Sequence, residues 1–162
     1  MREDPMRIAI TGHRLLPPET EALVSRALHE ALDEQLGAVI GISCLADGAD
    51  ALFAQAVLDH GGALIAVVPA SEYRDGLPQE HYPVYDRLLA AADEVHRLPY
   101  VESTSEAHMA ASEFMLGLAD RLWAVWDGKP ARGFGGTADV VQAARDRNLP
   151  VQVIWPEGAS RD

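Results

Sequence analysis

Three short segments carry residue types whose chemistry points to an anion-binding site. The first, Thr11-Gly12-His13-Arg14, offers a hydroxyl, a glycine that lets backbone amides approach a ligand, and a guanidinium suited to bidentate phosphate contact. Its plain alternative is a turn glycine followed by a solvated His and Arg. The second is Asp47-Gly48-Ala49-Asp50, placed where a helix begins. There Asp47 serves as N-cap and Asp50 complements the helix dipole. Gly48 needs a further reason, because a first-turn glycine costs about 1 kcal/mol relative to alanine. A backbone or a ligand passing close by would supply one. The third is Trp126-Asp127-Gly128 followed by Gly133-Phe134-Gly135-Gly136-Thr137, in which glycines run straight into a helix. Such an entrance presents unpaired N–H groups and the positive dipole end to an anion. Thr137 either caps the helix or bonds a phosphate oxygen, and three glycines exceed what a cap requires.

The elements that must position these segments alternate along the chain. Apolar runs predict strands at 6–11, 38–43, 63–68, 94–98, 121–126 and 151–155. Helical spacing predicts helices at 19–36, 47–60, 83–92, 105–118 and 136–147. The alternation argues for an α/β, Rossmann-like three-layer domain with a mostly parallel sheet of six strands over 6–156. Residues 1–5 and 157–162 are expected as loose ends. The expected order is 3-2-1-4-5-6, with ligands at the carboxyl ends of the strands. In that order Gly12, Gly48, Ser103, Thr104 and Gly136 ring one crevice. The loop 69–82, with Tyr73 and Arg74, is either a lid over it or an ordinary surface loop.

Composition limits the partners. With 13 Lys+Arg against 25 Asp+Glu the formal charge is −12. That argues against broad nucleic-acid binding, which needs a basic face. It leaves room for a small phosphate site. The single Cys44 cannot form an internal disulfide and reads as a small buried thiol in a reducing compartment. No stretch approaches a membrane span, and the first apolar run is too short for a secretory leader. A cytoplasmic protein is expected. Met109, Phe114 and Met115 on the fourth helix suit either the core or a homodimer.

Familiar signatures are missing. The first βα turn is not G-x-G-x-x-G, Gly128-Lys129-Pro130 is not a Walker A loop, and no G-x-S-x-G elbow occurs. The six histidines show no metal-ligand spacing, so no protein metal site is expected. A Mg²⁺ accompanying a nucleotide would need few protein ligands.

Taken together, TGHR after the first strand, LADGAD opening the second helix, and AVWDGKPARGFGGTADVVQAAR before the last strand resemble the SLOG superfamily. That Rossmann-like group includes the Lonely Guy phosphoribohydrolases, the DprA-type DNA-processing proteins and the nucleotide-sensing domains of TRPM channels. The chain looks nearest to small members of the TGHR/GGTAD type. The resemblance implies a nucleotide or nucleotide derivative, with Gly135, Gly136 and Thr137 holding a phosphate. It departs from the Lonely Guy pattern where catalysis is concerned. The glutamate expected three residues after the threonine is Val140, and Ala107–Ser112 lacks the Arg-Lys pair.

Cleaving an N-glycosidic bond needs an acid or nucleophile at the anomeric carbon. Asp47, Asp50, Glu113, Asp127 and Asp139 are candidates, and Asp50 and Asp127 lie nearest the expected crevice. Their plain alternatives are a first-turn acid and a strand-end turn residue. Three functions compete: a nucleotide-processing enzyme using Asp50 or Asp127 (phosphoribohydrolase-like or, on thinner grounds, deoxyribosyltransferase-like), a non-catalytic sensor of a nucleotide-derived signal, and an interaction protein. The expected binding set is Thr11, Gly12, His13, Arg14, Asp47, Gly48, Gly128, Gly135, Gly136 and Thr137.

Overall fold

Side chains of β1 (Met6–Gly12) alternate between two apolar layers, as a strand covered on both faces requires. Ile8 and Ile10 face α1 (Pro18–Asp33) and α2 (Ala49–Asp59), packing with Val24, Leu28, Phe53 and Trp123. Ala9 faces the other layer, built by α4 (Ser105–Leu118) and α5 (Thr137–Asp146) through Ala111, Met115, Val140 and Val141. Phe53 and Trp123 meet edge to face at 5.7 Å, and neither is exposed. The computed structural model describes residues 4–162; of the tail expected at 1–5, residues 1–3 lie outside the described residues.

The remaining strands are β2 (Val39–Ser43), β3 (Ala63–Ala70), β4 (Glu94–Tyr100), β5 (Arg121–Val125) and β6 (Val151–Val153), with α3 (Tyr82–Ala91) beside α2. All pairings are parallel, in the order β4-β3-β2-β1-β5-β6. The α/β, Rossmann-like class expected from the alternation is therefore the class observed. The expected order 3-2-1-4-5-6 is corrected at one strand: β4 lies at the outer edge against β3, not beside β1. The reason is chemical. β3 is buried along nearly its whole length, whereas β4 carries Glu94, His96, Arg97 and Pro99 and is largely exposed. Charged side chains and a proline without an N–H belong on an edge.

The switch point consequently falls between β1 and β5, and α4 travels back across β3 and β1 to connect β4 with β5. That path brings α4 over the carboxyl ends of the central strands. Met115 is buried, and Met109 and Phe114 pack half-buried against the core. No helix among the described residues is long and apolar enough to cross a membrane.

Candidate functional site

The tips of β1 and β2, the starts of α2 and α5, and the inner side of α4 enclose a crevice of about 410 Å³. Its floor begins at the TGHR turn, where Thr11, Gly12, His13 and Arg14 all line it. Gly12 is required by packing, since a Cβ there would collide with the side chains of Ala49 and Val125. Gly48 has φ +85°, and a Cβ would stand 2.5 Å from the His13 carbonyl oxygen. The neighbour that the sequence left open is thus a backbone. The Ala49 amide donates to that same carbonyl at 3.2 Å.

Asp47 does not cap α2 as expected; Gly48 holds the N-cap position without a side-chain bond. Instead Asp47 Oδ1 accepts from Arg14 Nε at 2.9 Å and pairs with Nη2 at 2.8 Å, while Oδ2 accepts the Leu15 amide at 3.0 Å. The physical reason is that both partners lie on the turn after β1, where Leu15 takes a left-handed backbone (φ +52°) and the Arg14 guanidinium and the Leu15 amide meet one carboxylate. Arg14 is thereby held at the rim.

At the α5 end, Gly135, Gly136 and Thr137 line the crevice. The Gly135 amide donates to Asp139 Oδ2 at 2.9 Å and the Gly136 amide to the Gly133 carbonyl at 3.2 Å. Asp139, two residues into α5, therefore folds the entrance loop in the manner of a capping box. Among the described residues the Thr137 and Ala138 amides have no acceptor, leaving two donors at the positive end of the helix. Thr137 is buried, and its Oγ1 lies 3.4 Å from His13 Nδ1.

Two further arginines close this end. Arg132 and Arg161 line the crevice, with Arg132 held in a fork by Asp162 at 3.0 and 2.6 Å. The C-terminal tail, expected to be loose, lies against α1: Thr20 Oγ1 donates to the Ser160 carbonyl at 2.7 Å and accepts its amide at 3.0 Å. A buried threonine hydroxyl needs such partners.

The two candidate acids have different surroundings. Asp50 lines the crevice, and burial pushes its carboxyl up to about 7, opposed by Arg14 and the Ala46 amide. Asp127 is not a lining residue. Burial acts to raise its carboxyl, but the Lys129 amide at 3.0 Å and His13, with Nε2 3.2 Å away, outweigh it and leave it below the ordinary carboxylate range. Gly128 takes φ +82° in the turn beyond Asp127 and lies outside the lining.

Sequence reasoning missed most of the far wall, placing only the loop 69–82 with Tyr73 over the crevice, as a lid or a surface loop. Pro69, Tyr73, His108, Ser112 and Met115 line it together with Cys44. Tyr73 and Leu77 are buried and His81 bonds the Leu45 carbonyl at 2.9 Å, so the loop 69–82 is packed against the body. His108 pairs with Ser103 at 2.7 Å and stands edge-on to Tyr73 at 5.6 Å. Cys44 is a buried free thiol beside Met115, its thiol pushed up by burial. Among the described residues no three His, Cys, Asp or Glu side chains converge as a metal cage.

This geometry has counterparts among solved structures. DNA processing protein A from Streptococcus pneumoniae superposes with a TM-score of 0.70 at 19% identity, over 95% of this chain and 52% of that one. The chain shares its fold with DNA processing protein A. The Helicobacter pylori protein, described as binding single-stranded DNA, matches with a TM-score of 0.66 at 17% identity, over 96% of this chain and 68% of that chain. A molybdenum cofactor binding protein from Rippkaea orientalis matches with a TM-score of 0.59 at 14% identity, over 95% of this chain and 78% of that chain. The chain thus spans about half the length of the S. pneumoniae protein. No family model and no curated protein sequence matches it. At these identities the likenesses show a shared fold.

Proposed function

We propose that the crevice binds a nucleotide or a nucleotide derivative, with a phosphate at the start of α5 and the sugar directed toward Asp50. The observation that carries this reading is the convergence on one 410 Å³ space of Thr137, with its unpaired helix amide and its hydroxyl, and three arginines. Amides at a helix start and guanidinium forks are the donors that phosphate oxygens take. The far wall of Tyr73, His108 and Met115 offers aromatic and apolar contact to a base or other ring. Placement among the small TGHR/GGTAD-type members rests on the sequence motifs.

A catalytic version of the same reading is favoured by Asp50. A carboxyl near 7 inside a crevice keeps its proton on about half of the molecules at neutral pH, where an ordinary carboxyl has lost it, and can deliver it to a leaving group. Asp127, ionised and outside the lining, is not the proton donor in this reading. The single-stranded DNA of the H. pylori protein does not transfer to a chain of formal charge −12, because a strand needs a basic track. The R. orientalis protein supports a ligand of cofactor size.

The test is a thermal-shift screen of the purified chain against nucleoside mono-, di- and triphosphates, NAD(P) derivatives, ADP-ribose and ribose 5-phosphate, followed by HPLC. Ligand at about 100 Kd adds about 2.7 kcal/mol of stability. A shift with released base or phosphate establishes an enzyme; a shift without product establishes a sensor. No shift with any of them refutes the reading.

A further inference from the structure

His13 is nearly inaccessible to water, yet both of its ring nitrogens have polar neighbours, which fixes more than its position. Nε2 lies 3.1 Å from the backbone amide of Asp127, and Nδ1 lies 3.4 Å from Thr137 Oγ1. A backbone N–H can only donate, so it is satisfied here only if Nε2 is the unprotonated nitrogen. The opposite tautomer would set two N–H groups against each other and leave a part-buried amide unpaired. The Asp127 carboxylate, with Oδ1 3.2 Å from Nε2, is the competing acceptor for a proton there; facing a bare Nε2 it keeps the Lys129 amide as its donor.

We propose that His13 is a positioning residue, locked by the Asp127 amide in its Nδ1–H tautomer, so that Thr137 accepts from the ring and aims its own hydroxyl proton into the crevice. The inference rests on the phosphate-binding reading above and adds a role to it. His13 does not touch the phosphate; it decides that Thr137 meets the anion as a donor. A hydroxyl has one proton and two lone pairs, so a donor behind it leaves the proton for the ligand. The rest of the surroundings keep the ring neutral. Burial lowers its proton affinity, Arg161 and Arg132 add to that, and the Asp127 carboxylate opposes it. Trp155 meets the ring edge to face at 5.6 Å and fixes its plane. The competing arrangement, with Nε2–H donating to Asp127 and Nδ1 drawing the proton from Thr137, would make Thr137 an activated nucleophile instead of an anion donor.

Long-range ¹H–¹⁵N correlation spectra of the full chain at neutral pH read the tautomer directly, with or without a ligand. A protonated Nδ1 and bare Nε2 on His13 are expected; a protonated Nε2 overturns the proposal. Calorimetric titration with adenosine 5′-monophosphate reads the consequence. His13→Asn keeps a donor near the Nδ1 position and retains affinity within about threefold, whereas His13→Gln, reaching only the Nε2 position, loses about tenfold or more. Thr137→Ser tracks the wild type and Thr137→Val tracks His13→Gln. Equal losses in the Asn and Gln variants, both folded by circular dichroism, overturn the proposal. If the wild type itself takes up no monophosphate, the binding reading fails, and the spectrum still decides the tautomer.

Discussion

Asp47 and Arg14, 33 positions apart, are joined through Arg14 Nε and Nη2 to one carboxylate oxygen, while the other oxygen of Asp47 takes the Leu15 amide. The contact ties the first βα turn to the start of α2 and holds Arg14 at the crevice rim. Arg14 is substantially exposed, so the ion pair itself contributes little. The amide of left-handed Leu15 matters more. Asp47→Ala therefore costs about 1–2 kcal/mol, read as a fall in Tm of several degrees, and Asp47→Asn costs less because it keeps an acceptor. Equal Tm values for wild type and Asp47→Ala would contradict this.

Gly12 makes a sharper claim about packing. Its missing Cβ is the space that lets β1 lie against Ala49 and Val125. Gly12→Ala overpacks this joint by about 1–3 kcal/mol, and the damage spreads to the crevice because α2 carries Asp50. Urea unfolding should show a lower midpoint with an unchanged slope. A midpoint equal to the wild type's would mean that the joint yields freely.

Asp50 ties stability to pH with a defined sign. Its carboxyl stands at about 7 in the folded chain against an ordinary 3.8. Between those values the folded chain keeps a proton that the unfolded chain has lost. Stability is therefore full below the lower value and declines as pH rises through the upper one. Asp50→Asn removes the decline. Its Tm advantage over the wild type should be near zero at about pH 4 and grow to a plateau above about pH 7, with a ceiling of about 4 kcal/mol that water in the crevice reduces. A pH-independent difference would contradict the burial argument. Burial lowers His13 and His108, which draws stability down as pH falls below the ordinary histidine range. The variant-minus-wild-type difference isolates Asp50 from both.

Much of this was legible in the residues. The apolar run at 63–68 demanded cover on both faces and is β3, and the glycines at 133–136 do open α5 at the crevice. The order of strands was also written in the sequence, in Glu94, His96, Arg97 and Pro99, which suit only an edge. Reading it required weighing β4's polarity above the commonest Rossmann order. Other features depend on contacts between distant positions that no local pattern encodes. The partners of Asp47 lie 32 and 33 positions away on the turn after β1, and the far wall arrives only because α4 crosses back over β3 and β1. Arg161 reaches the crevice because Ser160 is tied to Thr20, 140 positions away.

Arg132 offers a functional counterpart to these stability tests. Its fork holds Asp162, a carboxylate in the place where the proposal puts a ligand's oxygens nearby. Arg132→Ala should weaken adenosine 5′-monophosphate binding about tenfold, the scale of a charge-assisted hydrogen bond, without moving the Tm of the unliganded chain, since exposed ion pairs contribute little. Unaltered affinity would place the phosphate elsewhere.

The central claim is that a phosphate sits on the unpaired amides at the start of α5. Amide chemical-shift mapping of the ¹⁵N-labelled chain during titration with adenosine 5′-monophosphate tests it most directly. The account predicts saturable shifts centred on Thr137 and Ala138, extending to Gly12, Arg14 and Asp50. Shifts confined to the outer faces of α1 and α3, or none at these amides with any of the phosphate ligands, would contradict it.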